Sequence, residues 1–455
     1  MLKSTIAAVF LLLATPMLGQ DGFQNLFNGK DLSGWEQITG KAPYTVENDA
    51  IVGTAVLNTP NSFLCTERTY ANFILEFEFW VDPPLNTGVM FRCDHRPEGD
   101  LRRIFGYQLE IDPSPRAYTG GIYDEARRGW IYPLHYNPPA REAFKQGAWN
   151  KARVEAIGHE IRTFINGVPC ANLIDNLDDS GLICLQVHSI SPGDEENKQV
   201  RWRNLRIKEN ATRADQKEKV NLGPVENLIP NQISEAEKRA GWRLLWDGKT
   251  AEGWRGAKLD HFPTKGWSID NGILTVEKSD GGESTNGGDI VTIDHFSNFE
   301  LKFEFYPTEG ANSGVKYFVD PKLNKGAGSA IGLEFQILDD QRHPDAKKGV
   351  NGNRTVGSLY DLIAAKVVDV PSRSKNAYIN AWNRGRIVVR GGQVEHWLNG
   401  YKMVEYDRFS QMFEALVNYS KYKDWPHFGR WPSGPILLQD HGDKVSFRSI
   451  KIREF

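Results

Sequence analysis

Two stretches of the chain decide its fold: "NFILEFEFWVDPPLNTGVMFR" at residues 72–92 and "NFELKFEFYPTEGANSGVKYF" at residues 298–318. They match at a constant offset of 226 residues, which is 298 minus 72. Each begins with a strict alternation of apolar and polar residues, the period of a half-buried β-strand. The chain therefore contains two copies of one unit, and that unit is built from strands.

Further phrases repeat in the same order along the chain. They are "FNGKDLSGW" (27–35) with "WDGKTAEGW" (246–254), "GYQLEID" (106–112) with "GLEFQILD" (332–339), "GGIYD" (120–124) with "GSLYD" (357–361), and "LQVHS" (185–189) with "LQDHG" (438–442). Short strands separated by Gly, Asn, Pro and Asp clusters, with little helical periodicity, predict an all-β protein made of two tandem sandwiches or jelly rolls.

The repeat also sets the domain boundaries. We predict a first domain at 21–209, a charged linker at 210–231 followed by a short helix, and a second domain at 232–455. The second copy alone carries an aromatic and basic insertion at 407–431, which has room for one or two helical turns.

The N-terminus predicts export. Residues 1–20, "MLKSTIAAVFLLLATPMLGQ", combine a lysine, a short apolar run and small residues near the end, as in a secretory signal peptide. The mature chain is then periplasmic or extracellular, and no later segment reaches the ~18 apolar residues of a membrane span. A net charge of −3 without a basic block argues against nucleic acid or anionic lipid as a partner.

All four cysteines lie in the first copy, and export permits disulfides. Aligned on the repeat, Cys65, Cys93, Cys170 and Cys184 fall opposite Val291, Val319, Met403 and Leu437. Because aliphatic residues fill these positions in the twin, we expect buried, inert thiols. One or two disulfides are the alternative.

Two strands of each copy carry a polar pair on one face, since residues two apart in a strand point the same way. The pairs are Gln108 with Glu110 and Gln186 with His188 in the first copy, and Glu334 with Gln336 and Gln439 with His441 in the second. Any half-exposed strand alternates polar with apolar residues, so a single pair is weak support for a site. The repetition of both pairs in both copies favours a ligand site.

Two loops add candidate ligand contacts. In "GGIYDEARRGWIYPL" (120–134) they are Asp124, Arg127, Arg128, Trp130 and Tyr132, although a solvated charged loop would look similar. In "LDDQRHPDAKKGVNGNRTVGSLYDLI" (338–363) they are Asp339, His343, Arg354 and Tyr360. Arginine can bind oxyanions or hydroxyl groups, and tryptophan can stack on a sugar ring.

A divalent cation is an open expectation, because His343 and nearby carboxylates such as Asp345 are suitable ligand types in a spacing that matches no known metal motif. No organic cofactor is expected. His396, in "VEHWLNG", is more typical of a packed structural histidine.

These motifs resemble the bacterial 3-keto-disaccharide (3-keto-glycoside) hydrolase family, formerly a domain of unknown function. The resemblance covers nearly the whole mature chain, twice, and is carried in the second copy by "GWRLLWDGK", "NSGVKYF", "VEHWLNG" and "GPILLQDHG". It implies a concanavalin A-like lectin/glucanase jelly roll and a carbohydrate partner. The implied reaction removes the C2 proton of a 3-keto-glycoside, eliminates the C1 substituent and hydrates the product.

Such a reaction needs a base, an acid and an electrophile. We predict Glu110 or Glu334 as the base, and His188 or His441 as the acid or proton shuttle, because imidazole ordinarily titrates near neutrality. Arg127 and Arg128, or Arg354, would stabilise the enolate oxygen. The carboxylate changes place within its pair between the copies, so one copy is expected to be degenerate or tuned to another substrate.

Two other functions compete with this prediction. A glycan-binding protein without activity would keep the aromatic residues and the groove. A conventional retaining glucanase needs two carboxylates at a fixed short separation, but the position expected after Glu110 falls on Ser114 or Pro115.

Overall fold

The computed structural model describes residues 21–99, 101–193, 195–217, 221–280, 282–368 and 377–455. The predicted signal peptide, residues 1–20, lies outside the described residues. No helix in the described part of the chain combines the length and apolar character needed to cross a bilayer.

β-Strands dominate the regular secondary structure of the described chain, as the alternating pattern predicts. The strands up to residue 227 are β1 Gln24–Asn25, β2 Trp35–Thr39, β3 Tyr44–Glu47, β4 Ala50–Thr54, β5 Ser62–Thr66, β6 Phe73–Val81, β7 Thr87–Glu98, β8 Leu101–Ile111, β9 Ile122–Glu125, β10 Gly129–Tyr132, β11 Asn150–Ile157, β12 Glu160–Ile165, β13 Val168–Ile174, β14 Leu182–Val187, β15 Gln199–Glu209 and β16 Glu226–Asn227.

The remaining strands are β17 Arg243–Leu244, β18 Trp254–Gly256, β19 Trp267–Asp270, β20 Ile273–Val276, β21 Ile290–Thr292, β22 Phe299–Pro307, β23 Asn312–Asp320, β24 Ile331–Leu338, β25 Asn383–Arg390, β26 Gln393–Leu398, β27 Tyr401–Asp407, β28 Leu437–Leu438 and β29 Val445–Glu454. The α-helices are α1 Glu235–Arg239 and α2 Gln411–Asn418, and short 3₁₀ turns occupy Leu134–Tyr136, Pro138–Glu142, Arg213–Asp215 and Pro344–Lys347.

The chain divides into two compact units, each with two antiparallel sheets. In the first unit one sheet runs in the order β12-β11-β6-β15-β4-β3, and the other runs β8-β7-β14-β5-β2. In the second unit the corresponding orders are β19-β20-β29-β22-β25-β26-β27 and β18-β21-β28-β23-β24. This architecture confirms the predicted pair of tandem jelly rolls.

The stretches that predicted the fold become equivalent strands. β6 and β22 have the same burial pattern residue by residue, with apolar side chains packed inward and Glu or Lys outward. In the second unit the inward residues join a core that includes Phe299, Leu301, Phe303 and Phe305. Burying aromatic side chains of this size contributes about 1.5–3 kcal/mol each.

The unit boundaries differ from the predicted domain boundaries in two segments. Residues 122–133 and 173–176 group with the second unit, although both precede the linker in sequence. Within the second unit, the Tyr132 hydroxyl donates to the Pro224 carbonyl at 2.6 Å. The Arg384 guanidinium donates to the Trp130 carbonyl. These long-range contacts leave no local pattern in the sequence.

The predicted linker contains two ordered parts. Residues up to 217 pack on the first unit, where the Lys217 amide donates to Glu155 Oε1 at 3.0 Å. In the second unit the Glu226 carboxylate pairs with Lys302. The short helix expected next is α1, whose N-cap Ser234 accepts from the Glu237 amide at 3.2 Å.

The cysteine prediction was wrong for one pair. Cys65 and Cys184, directly opposite each other on β5 and β14, form a disulfide. Cys93 and Cys170 carry buried thiols, as expected. In the second unit, Val291 and Leu437 face each other in the same register. The cross-strand position is thus buried in both units, but a covalent bond replaces an aliphatic contact in the first.

Candidate active site

In the second unit a glycine opens space for the polar pairs. β23 lies between β24 and β28, and its Gly314 is opposite Gln336. A Cβ atom added at Gly314 would lie 2.3 Å from Glu334 Oε1, so the glutamate side chain lies across the glycine. The Gly314 carbonyl also accepts from the Gln439 amide at 3.0 Å. The two predicted strands are therefore brought together across a position without a side chain.

Glu334 is a buried carboxyl group beside positive charge. It is 4% exposed, and Lys316 Nζ lies 3.6 Å from its Oε2 atom. Burial raises the pKa of Glu334, while the charges of Lys316, Lys421 and His441 act in the opposite direction. The carboxyl is thus more basic than an exposed one and is still held near cations.

Lys316 is held in place by a chain of hydrogen bonds. Its Nζ lies 2.5 Å from Ser329 Oγ, and that hydroxyl lies 2.5 Å from Asp289 Oδ2. Asp289 Oδ1 in turn accepts from the Asp440 amide at 3.0 Å. Since Lys316 is also directly opposite Glu334 in the sheet, its ammonium group is fixed beside the carboxylate.

His441 lies three residues after the end of β28, next to a second histidine. Its Nε2 is 3.3 Å from the Asn312 side-chain nitrogen, and its ring meets that of His343 edge-on with the centroids 6.1 Å apart. Nitrogen or oxygen atoms of His343, His441 and Asp443 all lie within 4.8 Å of one another. Two imidazoles and one carboxylate are a donor set that suits Zn²⁺ or a similar divalent transition metal.

Tyr360 lies next to the Glu334 cluster. Its hydroxyl donates to Asp345 Oδ2 at 2.7 Å, and Lys421 Nζ lies 4.4 Å from the centre of its ring. Arg354 binds Asp345 at 3.1 Å and Asp361 at 2.7 Å. The Arg354 charge is therefore neutralised by two carboxylates, whereas the charge of Lys421 acts with that of Lys316 to lower the pKa of Glu334.

The first unit repeats this arrangement with the carboxylate moved. On β7, Gly88 is opposite both Glu110 and Gln186 on the two neighbouring strands. A Cβ atom at Gly88 would lie 2.4 Å from Gln108 Cδ, so Gln108 takes the place that Glu334 has in the twin. Gln108 is opposite Met90, at the position of Lys316. The exchange predicted from the sequence is therefore present in the folded sheet.

Glu110 is held by amides. Asn86 Nδ2 donates to its Oε1 at 2.7 Å, and Gln108 Nε2 donates to its Oε2 at 2.9 Å. Burial raises the pKa of Glu110, and these hydrogen bonds oppose the rise. His188 Nδ1 lies 2.6 Å from the Ser189 carbonyl. Val187, the last residue of β14, pairs with Thr87, the first residue of β7, and His188 follows directly after it.

Comparison with known proteins identifies the repeated unit. A family model described as a 3-keto-alpha-glucoside-1,2-lyase-like domain matches residues 22–208 and again residues 241–453. The chain belongs to that family. It is a glycoside-hydrolase-like enzyme in two tandem copies, as the resemblance in the sequence implied.

Individual relatives cover about one copy. A 3-keto-disaccharide hydrolase from Bacteroides thetaiotaomicron is 36% identical over 233 residues, which is 47% of this chain and 78% of that protein. A solved Parabacteroides distasonis protein, provisionally named a glycosyl hydrolase, is 28% identical with a TM-score of 0.43, and the match covers 50% of this chain and all of that one. A Bacillus subtilis carbohydrate-binding module, CBM66, is 14% identical with a TM-score of 0.27, over 38% of this chain and 94% of that one.

The loop predicted to bind sugar in the first copy does not present its aromatic rings to solvent. Trp130 and Tyr132 are buried in the second unit, so neither offers a face for stacking. Arg127 and Arg128 both bind the buried Asp124 carboxylate, at 2.8 and 2.5 Å. The contacts of these residues stabilise the hairpin β9–β10, which is the physical reason for correcting their assignment as sugar ligands.

Asp339 also has a structural position. Its side chain is fully buried and accepts from the backbone amides of Gly310 at 2.9 Å and Gln341 at 3.1 Å. It therefore orders the loop before His343 rather than facing a ligand. His396 is the packed histidine that the sequence predicted, with Nε2 2.8 Å from the Tyr317 hydroxyl.

Four residues of the cluster were missed by the sequence analysis: Lys316, Lys421, Asn312 and Asp443. Two of them had a detectable signal, because Asn312 and Lys316 share the face of Gly314 by the same two-residue spacing used for the polar pairs. Lys421 comes from the insertion, whose path the sequence does not reveal.

Proposed function

We propose that the second unit hydrolyses 3-keto-glycosides by elimination and hydration, with Glu334 as the base. The observation that carries the proposal is a buried carboxylate fixed beside Lys316, with His441 in the segment that follows the neighbouring strand β28. A C3 ketone acidifies the C2 hydrogen, so a carboxylate of raised pKa is a suitable base for that proton. The name of the Bacteroides relative supports this substrate class.

The atoms balance over two steps. In the first, Glu334 takes the C2 proton, the electron pair forms an enolate, and the C1–O bond breaks as the leaving oxygen gains a proton. In the second, water adds across the C1–C2 double bond, with hydroxide joining C1 and a proton returning to C2. Base and acid are regenerated, and the net change is hydrolysis of the glycosidic bond.

The other groups take roles that follow from their charges. His441 donates the proton to the leaving oxygen, since its ring lies beside the Asn312 amide at the edge of the cluster. Lys316 and Lys421 place positive charge where the enolate oxygen develops, a form of catalysis that mutagenesis values at about 3–4 kcal/mol per donor. Arg354, assigned to that role from the sequence, is already paired with Asp345 and Asp361.

We further propose that His343, His441 and Asp443 bind a divalent cation. The residues present fit such a group because three ligand atoms converge and leave coordination positions open. When bound, a cation would polarise the C3 ketone oxygen. His441 would then be a ligand rather than the proton donor, so the two roles are alternatives.

The decisive experiment supplies the mature protein with a 3-keto-glucoside and, separately, with its unoxidised parent. We expect cleavage of the oxidised sugar only. Cleavage of the parent would indicate a conventional glycosidase, and cleavage of neither would reject the enzymatic proposal. Glu334→Gln should lower kcat by about 10²–10⁴-fold. Dialysis against a chelator, followed by readdition of Zn²⁺ or Mn²⁺, distinguishes the two roles of His441.

We also propose export to an oxidising compartment. The cross-strand disulfide Cys65–Cys184 supports it, because structural disulfides persist in the periplasm or outside the cell and are rare in the cytosol. Fractionation of the native host, with detection of a chain shortened by about 20 residues, would test the prediction. A full-length protein in the cytosolic fraction would contradict it.

A further inference from the structure

The sheet β8-β7-β14 of the first unit contains buried polar atoms that the described residues leave unsatisfied. Gln186 is 1% exposed, and neither atom of its amide has a hydrogen-bond partner among the described residues. Gln108 is 2% exposed, and its Oε1 atom is also without a partner there. Each such group costs about 1–3 kcal/mol when it is left unpaired. Such groups are completed by an ordered water or by a ligand, and several of them at one place indicate a ligand site.

These atoms converge on one place. Gln186 and Glu110 are opposite Gly88 on its two sides, and Gln108 lies across the same glycine. Asn86, which is partly exposed, donates to Glu110 at 2.7 Å and forms the accessible edge of the cluster. The first unit thus has amide and carboxyl groups, both donors and acceptors, around a position without a side chain.

The groups needed for catalysis are replaced at the same time. At the offset of 226 residues, Lys316 corresponds to Met90 and Glu334 to Gln108. At the offset of 253 that relates His188 to His441, Asp443 corresponds to Ile190. The Gln108 amide cannot accept the C2 proton as the Glu334 carboxylate would, and both oxygens of the remaining carboxyl group, Glu110, already accept hydrogen bonds from amides. The set of cation ligands loses its carboxylate at Ile190.

We propose that the first unit is a saccharide-binding site without catalytic activity, formed by Asn86, Gln108, Glu110 and Gln186. Its ligand is a neutral sugar, because amides and a carboxyl group pair with hydroxyls. The charge of the nearby Arg116 is balanced by two carboxylates of the chain, Asp112 at 2.8 Å and Glu110 at 4.0 Å. The glycoside bound at this site is a second molecule, separate from any glycoside bound at the Glu334 cluster of the second unit. The inference concerns a different unit from the proposed catalysis and can stand without it.

The test counts binding sites on the full mature chain carrying Glu334→Gln, so that the ligand is not consumed. Isothermal titration uses methyl α-glucoside and its 3-keto derivative as probes. We expect two equivalents of at least one probe, one equivalent after Gln186→Met, and one after the matched change Gln439→Met in the second unit. Methionine is chosen because it keeps the side-chain volume and removes the amide.

A third variant controls for general effects of losing a buried amide. Gln216 is also buried in the first unit with an unpartnered Nε2, but it lies outside the cluster. Gln216→Met should keep both equivalents. The proposal is overturned if the protein without a first-unit substitution binds only one equivalent of ligand. It is also overturned if Gln186→Met still binds two equivalents, or if Gln216→Met loses one. Cleavage is scored separately on the unsubstituted protein, so two equivalents without cleavage would refute the proposed function and support this site.

Discussion

At the scale of single residues, the two units differ most in where one carboxylate sits. Glu334 is opposite Lys316 in the sheet. Glu110 lies two residues after Gln108, the counterpart of Glu334, and accepts hydrogen bonds from Asn86 and Gln108. The same side-chain types in exchanged positions therefore have different neighbours. Burial raises the pKa of both carboxyl groups; the charges of Lys316 and Lys421 oppose the rise at Glu334, whereas Asn86, Gln108 and the charge of Arg116 oppose it at Glu110.

This difference predicts the result of a swap in the second unit. The double variant Glu334→Gln, Gln336→Glu keeps charge and volume but moves the carboxylate to the position of Glu110. We expect kcat on a 3-keto-glucoside to fall as far as in Glu334→Gln alone, about 10²-fold or more, with the melting temperature of the double variant as the control for folding. A swapped protein within tenfold of the original rate would show that the position of the carboxylate does not matter.

His396 gives a prediction about pH and stability. Burial lowers the pKa of His396 from 6.5 to about 4. The unfolded chain takes up this proton at a higher pH than the folded one, so the stability from a neutral His396 is complete above pH 6.5 and is lost as the pH falls towards 4. Because one pKa unit corresponds to about 1.4 kcal/mol, the free energy of unfolding falls by about 3 kcal/mol.

Urea unfolding of the original protein and of His396→Gln at several pH values between 7 and 4.5 measures this effect, since the carboxyl groups common to both cancel. Between pH 7 and 4.5, we expect the fall in the free energy of unfolding to be about 2–3 kcal/mol smaller for the variant than for the original protein. Parallel curves would mean that His396 does not contribute to acid sensitivity.

At the scale of elements, strand patterns were predictable and loop partners were not. β6, β22 and the hairpin β25–β26 follow from apolar alternation and a Gly-Gly turn, which are local properties of the chain. The helix α2 in the insertion was also expected, and Ser410 caps it by accepting from the Phe413 amide at 3.2 Å. The burial of Trp130, by contrast, depends on residues more than 250 positions away, such as Arg384. Composition alone made that loop resemble a sugar-binding surface.

The strand β23 offers a prediction at this scale. Gly314 is required because the Glu334 side chain lies over it, and Gly314→Ala would place a methyl group 2.3 Å from the Glu334 carboxylate oxygen. We expect the carboxylate to be displaced and kcat to fall by about 10²-fold, since small misplacements of a catalytic group have effects of this size.

The matched control is Gly326→Ala in the same unit, where an added Cβ atom would meet nothing within 4 Å. It should leave both rate and melting temperature nearly unchanged. If Gly314→Ala retained the full rate with a normal melting temperature, Glu334 could not have the role proposed for it.

At the scale of the whole molecule, duplication explains which properties of the site could be inferred from one sequence. The comparison between the halves revealed the polar pairs and the moved carboxylate, because each copy acts as a reference for the other. It misled for the cysteines: aliphatic residues in the twin show that a position is buried, but not whether two thiols there are close enough to bond. Cys65 and Cys184 occupy the positions of the facing residues Val291 and Leu437 in the second unit. The twin therefore predicted that the two cysteines are buried, but not that they form a disulfide.

The Cys65–Cys184 disulfide is expected to stabilise the first unit. It joins residues separated by 119 positions, and closing a long loop restricts the unfolded chain, which typically stabilises a protein by about 2–4 kcal/mol. A double variant Cys65→Val, Cys184→Leu copies the second unit and fills the site with apolar side chains. We expect a reducing agent to lower the melting temperature of the original protein and to leave that of the double variant unchanged. Because Cys93 and Cys170 remain in both proteins, an equal response of the two to reduction would assign the effect to those thiols and contradict a stabilising role for the Cys65–Cys184 bond.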